Sequence, residues 1–190
     1  MTVPAGPLPA PVPEPVELPA GRTAVLALDL GRGCDAGSDP GHPILPAVRT
    51  LLDAARSSSV PVLHTLSRGL LGTERGAVSE ALGATDREEV LFPDAFDKFH
   101  GGGLQQRLVA AGARELVLTG SWISLCVLYT ATTALREHRY DVVIPLDAVA
   151  SPTPYEFEYS VHQLTRVGTL APGLTGRLRW TRTDLLRFAP

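Results

Sequence analysis

Asp29 and Cys126 are the two side chains whose types and places in the sequence could perform chemistry together. Asp29 stands near the end of an apolar run, Thr23 to Leu30 (TAVLALDL), where an unpaired charge would be costly. Cys126 follows the run Leu118-Thr119-Gly120 across Ser121-Trp122-Ile123-Ser124-Leu125, at the opening of a helical stretch. A thiol in the first turn of a helix meets the positive end of the macrodipole and unpaired N–H groups, which favour the nucleophilic thiolate. The same N–H groups can hold the oxyanion of a tetrahedral intermediate. A neighbouring carboxylate can take the thiol proton and later return it to a leaving amine. Each residue also has a plainer reading: Cys126 as a small buried hydrophobe, Asp29 as a cap after its strand.

Whether the two meet depends on the elements around them. Short apolar runs of strand length occur at Thr23–Leu30, Val60–Thr65, Glu89–Phe92, Glu115–Gly120, Asp141–Leu146 and Leu178–Thr181. Helical stretches fall between them at Ile44–Ser58, Gly103–Ala111, Leu125–His138 and Tyr155–Val167. Strands alternating with helices call for an α/β fold with a doubly wound parallel sheet of about six strands and right-handed crossovers. In the common strand order 3-2-1-4-5-6, ligands bind beyond the carboxyl ends of strands one and four, where the order reverses. Asp29 and Cys126 flank that crevice.

Composition bounds the rest. The chain has 190 residues, enough for one domain, with 44% hydrophobic and 19% charged residues. Net charge is -3, so no basic footprint for nucleic acid or an anionic membrane surface is present. No apolar stretch reaches transmembrane length, and no secretory leader is legible at the first residues. Two cysteines, Cys34 and Cys126, point to a reducing compartment, and the expected localisation is cytoplasmic. Residues 1–21 carry Pro4, Pro7, Pro9, Pro11, Pro13, Pro15 and Pro19 and read as an extended arm outside a domain spanning 22–190. Lys98 is the only lysine among 17 basic residues, which singles it out. The histidines lack paired metal-ligand spacing and Cys34 has no CxxC partner, so neither a metal nor another cofactor is expected. Gly31-Arg32-Gly33 lacks the third glycine of a dinucleotide fingerprint, and Gly101-Gly102-Gly103 lacks the Lys-Ser/Thr of a phosphate loop.

These blocks resemble the isochorismatase-like, or cysteine hydrolase, superfamily. The matching residues are AVLALD with Asp29; LVLTG at Leu116–Gly120, five residues, then Cys126-Val127; Thr130-Ala131; and Asp147-Ala148 with Ala150-Ser151. Phe99, Leu104, Gly112 and Gly120 match the helix and strand between. The resemblance covers roughly 23–167. It implies a Rossmann-like three-layer α/β/α fold, usually oligomeric, and hydrolysis of amide or carbamoyl C–N bonds by a Cys-Asp-Lys triad, or of a vinyl ether without the thiol. It also implies a non-proline cis peptide near Ser121-Trp122.

The sequence departs from that pattern in three places. The usual triad lysine position holds Pro93, which carries no charge; the Gln or Asn expected after the first Asp is replaced by Leu30-Gly31-Arg32-Gly33; and a frequent Thr is Ile123. Lys98 is the candidate substitute for the lysine, with Arg32 as another cation nearby. The expectation is therefore a hydrolase of a small-molecule C–N bond, in secondary metabolism, with Cys126, Asp29 and Lys98 catalytic and with Ser121, Trp122, Ile123 and Phe96 lining the substrate site. Rival readings are a catalytically altered member used for ligand binding or assembly, and ether hydrolysis with Asp29 as acid. An open crevice favours the enzyme; one filled by Trp122 or Phe96 favours the inert protein. Self-association as a homodimer or larger oligomer is expected through Leu125–Leu135, whose Val127, Leu128, Ala131, Ala134 and Leu135 leave little polar face.

Overall fold

The computed structural model describes residues 10–190, so the first part of the expected proline-rich arm lies outside the described residues. The strands are β1 (Val16–Pro19), β2 (Thr23–Leu28), β3 (Val62–Thr65), β4 (Glu89–Leu91), β5 (Glu115–Gly120), β6 (Asp141–Pro145), β7 (Leu178–Thr181) and β8 (Leu186–Ala189). The α-helices are α1 (Leu45–Ser57), α2 (Leu104–Ala110), α3 (Leu128–Arg136) and α4 (Pro154–Leu170). Six strands form one parallel sheet in the order β4-β3-β2-β5-β6-β7. Counted along the chain this is 3-2-1-4-5-6, as the alternation of strands and helices requires, and the reversal lies between β2 and β5.

Period-two alternation distributes the core. Ala24, Leu26 and Leu28 of β2, Leu116 and Leu118 of β5, and Val142 and Ile144 of β6 face α2, α3 and α4. Val25, Ala27, Val117 and Val143, the residues between them, face α1. Both faces are covered, which is why these strands read as continuous apolar runs.

The arm expected over 1–21 is not free throughout. Val16–Pro19 form β1, which runs parallel to β8 with Val16 opposite Leu186. Val16 and Leu18 are buried beside α1, and Glu17 points outward. The alternating apolar residues outweigh the proline signal, because Pro19 sits at the end of the strand where its missing N–H costs little. The apolar residues of Leu125–Leu135 likewise have an internal explanation: Val127, Ala131, Ala134 and Leu135 are all fully buried within this chain, leaving Tyr129 as the exposed large apolar residue of that stretch. No helix of the described residues is long and apolar enough to cross a membrane.

Candidate active site

Asp29 follows β2 directly and takes a left-handed backbone conformation, with φ of 55°. A non-glycine residue in that region is strained, and such strain persists only where surrounding bonds hold it. Here they do. The Asp29 N–H donates to Thr65 O at 2.8 Å, and its carbonyl accepts from Ser121 Oγ at 3.0 Å. Its carboxylate pairs through Oδ2 with Lys98 Nζ at 2.7 Å. Oδ1 is buried with no hydrogen-bond partner of ordinary geometry.

Lys98, only 1% exposed, reaches Asp29 from the loop between β4 and α2. Its N–H donates to Thr130 Oγ1 of α3 at 3.0 Å, and Asp97 beside it accepts from Thr133 Oγ1 at 2.6 Å. The three glycines then turn the loop back: Gly101, Gly102 and Gly103 all have φ near +70°. A Cβ on Gly102 would lie 3.1 Å from Pro93 N, so the loop closes tightly on the proline. The glycine run is thus a fixed turn rather than the flexible lead-in to a helix that its composition suggests.

Cys126 does not lie in the first turn of an ordinary helix. Ile123–Val127 form a wider π turn before α3, with Val127 N–H donating to Trp122 O at 3.3 Å. Ser124 and Ser151 both donate to the Glu156 carboxylate, which ties this turn to α4. The thiol donates to Trp122 O at 3.2 Å. Burial first, and then the charge of Asp29, push the Cys126 thiol well above its ordinary range; Lys98 and the Trp122 backbone oppose them without reversing the shift. The sequence suggested a resting thiolate. Complete burial makes the resting group a thiol, whose proton must leave as it attacks.

A cavity of about 360 Å³ opens on this crevice, lined among others by Asp29, Cys34, Ser121, Trp122, Leu125 and Phe96. Phe96 is 57% exposed and Trp122 36%, so both flank the opening and neither fills it. Ser121 lines the floor and anchors the Asp29 carbonyl. Ile123 is a correction: it is fully buried among core residues, its N–H donates to Ala150 O at 2.8 Å, and it does not line the cavity. Cys126 is fully buried and does not itself line the cavity, but its thiol meets two residues that do, Trp122 and Asp29. The cis peptide implied near Ser121-Trp122 is absent; no cis bond occurs among the described residues. Arg32 is not the substitute cation, since it pairs with Glu80 at 2.6 Å.

Sequence reasoning did not place Cys34, Arg75, Asp39, Leu66, Ser67 or Leu70 at the site. Cys34, held by burial and then by Asp39 at a pKa of about 12, packs against the Asp29 carbonyl, while Arg75 comes from a distant loop. Among the described residues no group of three or more His, Cys, Asp or Glu side chains comes together as a metal site.

Residues 23–172 match the family described as Isochorismatase domain. The N-carbamoylsarcosine amidase of Arthrobacter sp is 23% identical over 175 residues, covering 75% of this chain and 65% of the relative. Streptothricin hydrolase of Streptomyces noursei is 31% identical over 137 residues, covering 67% of this chain and 49% of the relative. This chain therefore spans less than two thirds of the length of either. Among solved structures, an isochorismatase-like hydrolase from Alkaliphilus metalliredigens superposes with a TM-score of 0.73 at 22% identity, over 86% of this chain and 93% of that one. The family match over most of the chain and the shared fold agree with the crevice built from Asp29, Lys98 and Cys126: the protein belongs to the isochorismatase domain family.

Proposed function

We propose that this protein hydrolyses a C–N bond of a small-molecule amide or carbamoyl compound, with Cys126 as nucleophile, Asp29 as proton carrier and Lys98 as the cation. The observation that carries this reading is the 2.7 Å Asp29–Lys98 pair beside the buried Cys126, with Asp29 lining an open cavity. The relatives named as amidase and hydrolase support it.

The reaction balances with these groups. Asp29 takes the proton from the Cys126 thiol as sulfur attacks the carbonyl carbon, and the C–N bond then breaks as Asp29 delivers that proton to the departing nitrogen. The released amine or ammonia leaves an acyl or carbamoyl thioester on Cys126. Water, deprotonated by Asp29, attacks the thioester; the C–S bond breaks, and the proton returns to sulfur. Lys98 keeps a positive charge beside the carboxylate and the developing anion throughout.

The test is turnover of a panel of small amides and N-carbamoyl compounds by the purified protein. Cys126→Ala is expected to abolish release of ammonia or amine, and Asp29→Asn to reduce it by roughly 10² or more. Undiminished turnover in both variants would overturn the assignment. The proposed setting is the cytoplasm, where Cys34 and Cys126 stay unpaired, as they are here. Self-association is proposed through exposed Tyr129, Tyr155 and Tyr159, and light scattering at micromolar concentration decides it.

A further inference from the structure

Resting on the hydrolytic reading of the crevice, we infer that Asp97 and Thr133 are positioning residues for the reaction. Together they latch the loop that carries Lys98 onto α3 and so set where its ammonium stands against Asp29. Lys98 depends on such a latch, because it reaches Asp29 from an irregular stretch between β4 and α2 and not from a strand or helix. Pro93, five residues earlier, offers no charge in its stead.

The loop is first closed on itself. Asp94 N–H donates to His100 O at 3.1 Å, and His100 N–H donates to Asp97 O at 3.0 Å. The Asp97 carboxylate then spans two elements. Oδ1 accepts from the Phe99 N–H at 3.0 Å within the loop, while Oδ2 accepts from Thr133 Oγ1 of α3 at 2.6 Å. The next residue repeats the attachment, since Lys98 N–H donates to the buried Thr130 Oγ1 at 3.0 Å. Residues 97 and 98 are thus bonded to threonines three apart on α3, a spacing that puts both hydroxyls on one face. Beyond them the Phe99 and His138 rings pack with centroids 4.4 Å apart, just past the end of α3.

Helix α3 continues directly from the π turn that carries Cys126. Nucleophile and cation are therefore referenced to one rigid element, Cys126 through the covalent chain and Lys98 through the two threonines. The two attachments differ in kind. Thr130 satisfies a buried backbone N–H, which folding requires of any residue at 98. Asp97 and Thr133 are only half-buried, where water can solvate either group, so stability alone does not call for their bond. What the bond adds is aim. Without it the flexible four-carbon stem of Lys98 starts from a looser backbone, and its ammonium no longer holds one place beside Asp29.

Lys98 is the only lysine of the chain, so lysine isotopically labelled at Cε marks this one side chain and reports its surroundings without any substrate. In the wild type its carbon–proton signal should be single and displaced from the position it takes in guanidinium. Thr133→Val and Asp97→Ala should move it toward that position or split it, whereas Thr133→Ser, which keeps the hydroxyl, should hold it in place. On those small amides or N-carbamoyl compounds that the wild type turns over, Thr133→Val and Asp97→Ala should lower kcat by about tenfold to a hundredfold with KM within about threefold, because the cation is misplaced and not removed. Combined with Lys98→Met, the Thr133→Val loss should not add. Near-ultraviolet circular dichroism establishes that each variant is folded; should Asp97→Ala not fold, Thr133→Val, which exchanges a hydroxyl for a methyl, decides alone. A Lys98 signal unmoved in the folded variants, wild-type kcat in both, or losses that add in full overturns the inference. A signal that moves as expected in a protein that hydrolyses none of the probes keeps the latch and removes only the hydrolytic reading.

Discussion

Lys98 is fully buried and meets one carboxylate oxygen, so its removal acts on folding and on chemistry by different routes. Lys98→Met keeps most of the side chain's volume but leaves the Asp29 charge unpaired, at a cost of about 3 kcal/mol, and turnover should fall by roughly 10². Asp29→Asn combined with Lys98→Met should unfold less easily than Lys98→Met alone, because no uncompensated charge then remains. A denaturant series on the two proteins checks this, and equal midpoints would refute the coupling. For the thiols, burial and raised pKa predict that iodoacetamide at neutral pH labels both Cys126 and Cys34 more slowly in the folded protein than in guanidinium. Peptide mass spectrometry reads both at once, and rapid labelling of folded Cys126 would show a free thiolate. Asp29 and Cys126 were legible in the sequence because each borders an apolar strand whose place in the sheet is predictable. Lys98 was legible only through its uniqueness. Arg75 and Cys34 were not, since both lie in irregular loops whose path no periodicity sets.

Helix α1, strand β3 and the segment leading into β4 meet at a buried polar group that the mechanism does not use. His64 Nε2–H donates to Glu88 Oε2 at 2.7 Å, and Arg56 of α1 pairs with Glu88 Oε1 at 2.7 Å. Burial pushes His64 below its ordinary value of 6.5, against the pull of Glu88. Burial works to raise Glu88, but Arg56 and His64 hold it below 4.5. Both groups therefore bind fewer protons when folded. Stability should be full above about pH 6.5, decline as pH falls through the His64 range, and decline again below pH 4.5. Thermal melts should show the first decline absent in His64→Gln and the second reduced in Glu88→Gln. At the carboxyl end of β5, a Cβ on Gly120 would lie 2.7 Å from Leu28 O and 3.2 Å from Val127 Cγ2. Gly120→Ala should cost roughly 1–3 kcal/mol and lower turnover by parting β2 from β5 beneath the π turn. The strands were legible from their apolar runs. The π turn was not, because a one-residue widening leaves the helical pattern of apolar residues intact.

Across the whole molecule, β1 joins β8 near the opposite end of the sequence, and Thr181 Oγ1 also donates to Glu14 O at 2.7 Å across 167 residues. Leu18 lies fully buried on α1 through this pairing. Leu18→Asp should therefore destabilise the protein by about 3 kcal/mol or more through an unpaired buried charge, and a denaturation midpoint measures it. The sequence pointed instead to a solvated arm, because proline content is a local signal and strand pairing across the whole chain is not. The pairing also orders events in time. During synthesis β1 leaves the ribosome before every other described element, while β8 emerges after all of them. A nascent chain arrested before Leu186 must hold Val16 and Leu18 without a sheet partner, and limited proteolysis of such chains should cut near these residues until the final strand is released. Closure of this seam thus waits for the last of the described strands, and chaperones that bind extended apolar segments have until then to act on it.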